Sequence, residues 1–256
     1  MDNLNYIVFI CIIVAFAMIL PLLEKKTRMV LIFMIVGVCC CLFVSEINNI
    51  LLGVFDEDML YVTTTITPIT EEIVKALPIL YCAVVITDER RTLISNAIAV
   101  GVGFALLENM IVLLQNTSEA TILWALIRSF GSGMVHALCT VMVGYGISYI
   151  RKRRKLFWCG TFALLSAAIT YHAVYNVLVQ SSFRNAGFIL PVLSYIPMIL
   201  FLRRNIADKD RMSRPAKRAF LDIKRSLRTS LFLFFFFIKI RNRYRPLSRP
   251  FLFALC

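Results

Sequence analysis

Seven apolar runs, joined by connectors too short to fold on their own, dominate this 256-residue chain. They fall at about 5–23, 29–50, 68–86, 92–115, 126–150, 156–180 and 186–202. Each approaches the ~20 apolar residues with which an α-helix crosses the hydrocarbon core of a bilayer. A helix suits that task because it satisfies its own backbone N–H and C=O groups where no water can. The expected fold class is therefore all-α, a polytopic membrane helix bundle of about seven transmembrane helices. Composition agrees, since 59% of the residues are hydrophobic against about half in soluble domains. The spans leave no room for a large soluble domain. The first run has span length and lacks both a basic lead-in and a small-residue cleavage site, so it reads as the first span rather than a signal peptide.

The connectors alternate in charge. Lys25, Lys26 and Arg28 follow the first run, and Asp56, Glu57 and Asp58 follow the second. Arg90 and Arg91 follow the third, beside Asp88 and Glu89; the stretch from Asn116 to Ala120 has no Lys or Arg; Arg151 to Lys155 reads RKRRK. Basic connectors stay in the cytoplasm, which predicts the N-terminus outside and the C-terminus inside. Of the net charge of +13, the tail from Arg203 to Cys256 carries most, with 15 Lys/Arg against 3 Asp/Glu. Residues 1–202 thus form the expected bundle and 203–256 a basic, aromatic-rich cytoplasmic tail drawn to anionic lipid. Within it, 231–238 reads LFLFFFFI, too short to span; it is either an interfacial aromatic anchor or a low-complexity ending. No nucleic-acid-binding module accompanies the basic charge. The eight cysteines contain no CxxC pair and lie mostly in apolar runs, as small buried hydrophobes do.

Ionisable groups inside spans are where such a chain reveals chemistry, because each costs about 2.5–3.5 kcal/mol at a helix centre on insertion scales. The third run holds Glu71, Glu72 and Lys75; the fourth holds Glu108 and Asn109; the fifth holds His136; the sixth holds His172 and Asn176. His136 and His172 are the only two histidines in the chain. Groups this expensive in four consecutive helices should face one another in a shared polar interior. Lys75 lies three and four residues after the two glutamates, so one ammonium can serve both on a helical face. His172 and Asn176 likewise project from one face. Thr67 and Pro68 read as an N-cap and first helical residue, which would set both glutamates near the positive end of the helix dipole. In the predicted orientation Glu71, Glu108, His136 and His172 all fall roughly 5–12 Å below the outer surface, at 1.5 Å per residue. Glu46 and Asn48, near the end of the second run, read as interfacial.

These residues resemble the motifs of the PrsW-type intramembrane proteases. EEIVK at 71–75 matches their EExxK motif and FALLE at 104–108 their FxxxE motif. His136, followed by small residues ending in GYG, and HAVYN at 172–176 are similar to the later His motifs. The resemblance covers about residues 60–180, the expected protease core. It extends to the wider clan of prenyl-protein (CAAX) endopeptidases and bacteriocin-processing membrane enzymes, which usually carry His where this chain has Glu108.

The resemblance implies hydrolysis of a peptide bond in a single-span membrane protein near its outer surface, an anti-sigma factor being the substrate associated with bacterial members. It implies Glu71 as general base, Glu72 paired with Lys75 to orient the site, His172 and Asn176 as oxyanion stabilisers, and His136 with Glu108 positioning the water. No cofactor is expected. Zn²⁺ is the alternative, since two histidines and several carboxylates could bind it, although HExxH is absent and Lys75 would compete for the carboxylates. Two non-catalytic readings stay open: a relative that binds and protects, as a bacteriocin-immunity protein does, and a proton-coupled carrier using Glu71, Glu108 and His172 as a relay.

Overall fold

A computed structural model of the protein describes residues 4–54, 59–118, 120–151, 154–183, 185–201 and 203. The basic tail and its aromatic run, apart from Arg203, lie outside the described residues. Every regular element among the described residues is helical. Helix α1 (Leu4–Ile19) ends in a 3-10 turn, Leu20–Leu22, and α2 is Lys25–Val54. Next, α3 (Met59–Tyr61) passes through a π-helical segment, Val62–Ile66, into α4 (Thr67–Tyr81), which runs on through a second π-helical segment, Cys82–Ile86. Helices α5 (Arg90–Gln115), α6 (Ile122–Ile147) and α7 (Arg154–Gln180) follow, and α8 is the apolar helix Asn185–Phe201.

Five helices are long and apolar enough to cross a membrane: Leu4–Leu22, Lys25–Val54, Arg90–Gln115, Ile122–Ile147 and Lys155–Gln180. They correspond to five of the seven apolar runs. The other two differ for stated reasons. The third run carries Glu71, Glu72 and Lys75 in its first half, and α8 is shorter than any of these five spans. Large apolar side chains point outward from the spans, among them Ile7, Ile10 and Val14 on α1, Leu123, Leu126 and Phe130 on α6, and Trp158 and Phe162 on α7. A helix apolar on its outer face as well as its inner one suits lipid rather than water.

With Met59–Ile86 taken as one continuous helix, the bundle alternates in direction from α1 to α7. Tyr6 donates to Glu46 at 2.8 Å across α1 and α2. Thr70 donates to Asn48 at 3.0 Å across α4 and α2. Asn96 reaches the Cys82 thiol at 3.4 Å, while Lys75 lies 4.5 Å from the Phe104 ring, across α4 and α5. Cys139 donates to the Ala168 carbonyl at 3.5 Å across α6 and α7. Alternation brings the basic connectors to one end. There Arg90 donates to Ser148 at 3.2 Å and lies over the rings of Tyr145 and Tyr149, and Arg151 donates to the Val84 carbonyl.

Glycine sets how closely the central helices approach. A Cβ on Gly103 would collide with the Met34 backbone, holding α5 against α2. A Cβ on Gly101 would meet the Thr140 hydroxyl and the His136 carbonyl, so α5 touches α6 at the very turn that carries His136. Around these contacts pack Phe33, Ile79, Leu93, Val100, Val135 and Val143 in one cluster. A second cluster holds Val38, Val44, Val74, Phe104, Leu107 and Ile111.

The N-cap expected at Thr67 is corrected. Residues before it are already helical, and the Thr67 N–H bonds back to the Val62 carbonyl. Glu71 and Glu72 therefore sit inside a continuous helix, away from any free helix end, and the dipole argument does not apply to them. Pro68 has a different consequence. Having no N–H, it cannot continue the π-type register to the Thr63 carbonyl. That carbonyl instead accepts from the Asn176 side chain on α7 at 3.0 Å.

Candidate active site

Four helices deliver one residue face each. Helix α4 presents Glu71, Glu72 and Lys75; α5 presents Phe104 and Glu108; α6 presents Arg128, Ser132 and His136, four apart in turn; α7 presents His172, Tyr175 and Asn176. At the centre stands the Lys75 ammonium, fully buried. Its Nζ is 2.7 Å from Glu72 Oε1, 2.8 Å from His136 Nδ1 and 3.6 Å from Glu71 Oε2. An ammonium offers donors only, so His136 Nδ1 accepts. The His136 proton then sits on Nε2, which donates to Glu108 Oε2 at 2.8 Å. Glu108 also accepts from Ser132 at 2.9 Å and faces Arg128 at 3.4 Å. On the other side His172 donates from Nδ1 to Glu72 Oε1 at 2.9 Å. The two imidazoles meet edge to face with centroids 4.9 Å apart.

The two glutamates of α4 are not equivalent. Glu72 Oε1 takes hydrogen bonds from both Lys75 and His172. Glu71 Oε2 has three nitrogens at 3.6–3.8 Å, those of Lys75, His136 and His172, and no hydrogen-bond partner. Glu71 also lines two cavities, of about 230 and 220 Å³, that meet at Glu71, Glu108, Thr63, Thr67 and Val112. One extends between α2 and α5 past Ser45 and Asn48, the other between α6 and α7 past His136, His172, Tyr175 and Asn176. Glu72 and Lys75 line neither. Glu72 is held as a counter-charge behind the cavities, while Glu71 lines both of them.

Of the seven residues singled out in the sequence, Glu71, Glu108, His136, His172 and Asn176 line this space, while Glu72 and Lys75 lie behind it, hydrogen-bonded to His172 and His136. Asn176 touches it while one of its amide protons holds Thr63. Three further residues belong to the site. Arg128, Ser132 and Tyr175 line the second cavity. The helical spacing from Arg128 through Ser132 to His136 was a usable signal, as was an arginine at the membrane edge far from the other basic connectors. Tyr175 had only its three-residue offset from His172.

Glu71, Glu72, His136 and His172 each offer one ligand atom, all within 4.8 Å of one another. Their chemistry suits zinc, and the Oε2 atoms of both glutamates lack partners. Their arrangement does not suit it as it stands. Ligands around a tetrahedral zinc with bonds of about 2.1 Å lie about 3.4 Å apart. The Lys75 ammonium already hydrogen-bonds Glu72 and His136 in their midst, so a divalent cation could enter only by displacing another cation.

A multi-helix membrane chain that buries paired glutamates, a lysine and two histidines against internal cavities is equipped for chemistry within the bilayer. It belongs to the PrsW family of intramembrane metalloproteases, whose family model matches residues 25–202. The protein is accordingly a multi-pass membrane protein of an intramembrane protease family. No curated protein and no solved structure matches the chain.

Proposed function

We propose that this protein hydrolyses a peptide bond in a single-span membrane protein, with Glu71 activating the attacking water. The observation that carries the reading is Glu71, which lines both cavities where they meet and whose buried Oε2 has no hydrogen-bond partner. A general base needs a free lone pair within reach of a water. Glu71 takes one proton as the water oxygen bonds to the carbonyl carbon. The carbonyl oxygen gains the charge, which is stabilised by the remaining Asn176 amide proton and by His172 as the imidazolium, with its Nδ1–H on Glu72 and its Nε2–H on the oxyanion. When the C–N bond breaks, Glu71 passes its proton to the departing nitrogen. Glu72 and Lys75 hold the site's charges in register, and Glu108 fixes the His136 ring. The substrate class suggested by the family likeness is a single-span protein such as an anti-sigma factor. Reconstituted in liposomes, the full chain should cut a quenched single-span peptide that it leaves whole once Glu71 is replaced. The unbroken hydrogen-bonded path from Ser132 through Glu108, His136, Lys75 and Glu72 to His172 also suits a proton-coupled carrier. Gradient-driven proton uptake without any cleavage would favour that second reading.

We further infer that catalysis needs no metal, because the Lys75 ammonium supplies the positive charge a metal would bring. Activity of the purified chain should survive prolonged 1,10-phenanthroline treatment within about twofold, with no stoichiometric zinc by elemental analysis. Loss on chelation and recovery on adding Zn²⁺ would overturn this.

The same reading places the N-terminus outside, with the segment from Met59 to Ile86 crossing as well. It is supported by the alternating helix directions and by the gathering of Arg90 and Arg151 at one end. Glu71 would then lie in the outer half of the bilayer and cleavage would occur near the outer surface. On a background cleared of native cysteines, Thr117→Cys should react with an impermeant thiol reagent in intact cells. Arg91→Cys should react only after permeabilisation. The reverse pattern would invert the orientation and the side of cleavage.

A further inference from the structure

Tyr175 spends a hydroxyl on nothing. The residue is 5% exposed, its hydroxyl is buried without a hydrogen-bond partner, and it lines the same cavity as Glu71, Glu108, His136 and His172. A buried polar atom without a partner lowers stability, and a phenylalanine would fill the same space without that penalty. The hydroxyl is also seated with care. A Cβ on Gly131 of α6 would stand 3.0 Å from it, so only glycine at that position leaves the phenol undisturbed. Its neighbours on α7 are less free. His172 Nδ1 is committed to Glu72 and one proton of Asn176 to Thr63. Among the three polar residues this turn of α7 turns toward the cavity, Tyr175 alone has its whole donor capacity available.

We propose that Tyr175 is a catalytic residue whose hydroxyl donates a hydrogen bond to the carbonyl oxygen of the scissile peptide as that oxygen becomes an oxyanion. This rests on the protease reading above and deepens it. The phenol keeps its proton throughout; it lends a dipole fixed in advance, which costs no reorganisation when charge develops. Such a donor acts mainly in the transition state, so its removal lowers kcat and leaves KM nearly unchanged.

The test uses the full chain in liposomes with a quenched single-span peptide that the wild type cuts. Tyr175→Phe should lower kcat about 100-fold, the scale of one oxyanion-hole donor, with KM within twofold. Its melting temperature should equal or exceed that of the wild type, the opposite sign from a structural hydroxyl. Gly131→Ala should also lower kcat in the wild type and have no further effect on kcat in the Tyr175→Phe background, since the group it displaces is gone. Unchanged kcat in Tyr175→Phe, with Glu71→Gln inactive, overturns this role alone. A raised KM with unchanged kcat, or a lowered melting temperature accounting for the loss, does so too. Full activity in both variants removes Glu71 from the role of base and, with it, the site on which this role rests.

Discussion

Glu71→Gln is expected to slow cleavage by about 10²–10⁴-fold, the range that general-base catalysis contributes, while the protein inserts and folds as the wild type does. The substitution keeps the shape of the side chain and removes the negative charge and basicity with which it would accept the water's proton. Stability should hardly move, because Glu71 Oε2 has no hydrogen-bond partner to lose. Glu72→Gln provides the contrast. Its carboxylate binds both Lys75 and His172, so an amide there weakens two buried contacts and should lower both activity and melting temperature. Single-turnover cleavage rates set beside thermal melts would separate the two. Equal rates for Glu71→Gln and wild type on a genuine substrate would remove Glu71 from the role of base, and a Glu72→Gln variant as stable as Glu71→Gln would contradict the division of labour between them.

Lys75→Met should be the most destabilising change in the bundle, by about 3–5 kcal/mol, the scale for leaving a buried charge without its partner. Methionine nearly matches the volume, so the loss would be electrostatic rather than steric. It leaves the Glu72 carboxylate without its counter-charge at 2.7 Å, held by His172 alone, and takes from His136 Nδ1 its donor at 2.8 Å. His136 could then turn or change tautomer and release Glu108, spreading the damage from α4 to α5 and α6. Adding Glu72→Gln to Lys75→Met should recover part of the melting temperature, since the stranded charge is removed, without restoring cleavage. A Lys75→Met protein that melts with the wild type would mean that the ammonium is not what holds these helices in register.

Much of this was readable from the chain because lipid makes polarity costly. Glu71, Glu72, Lys75, Glu108, His136, His172 and Asn176 stand out against apolar runs, and their three- and four-residue spacings place them on shared faces. Five of the seven runs are helices fit to span for the same reason. What stayed hidden depends on the backbone or on a neighbour. Thr67 followed by Pro68 carries the residue types of a helix start, but the chain before it is already helical, and no local pattern distinguishes a π-helical segment from a cap there. Arg128 shares the helical spacing of Ser132 and His136, but that spacing does not name its partner, Glu108 on α5 at 3.4 Å. Asn48 reads as interfacial, yet Thr70 donates to it. Tyr175 is one of 9 tyrosines among 20 phenylalanines, and nothing in its sequence context says that its hydroxyl would go unpaired.

The bond from Asn176 to the Thr63 carbonyl joins residues 113 positions apart, and it exists because Pro68 has no proton to give. The two side chains are thus linked through a gap in the backbone that neither of them fills alone. A lineage that replaced Pro68 by a residue with an N–H would let the helix reclaim Thr63 and set Asn176 loose at the cavity edge. One that lost Asn176 first would leave the carbonyl without its partner at the cavity edge. Natural variation at 68 and 176 should therefore be paired rather than independent, a correlated signature that comparison of many descendants of this gene could detect without any biochemistry.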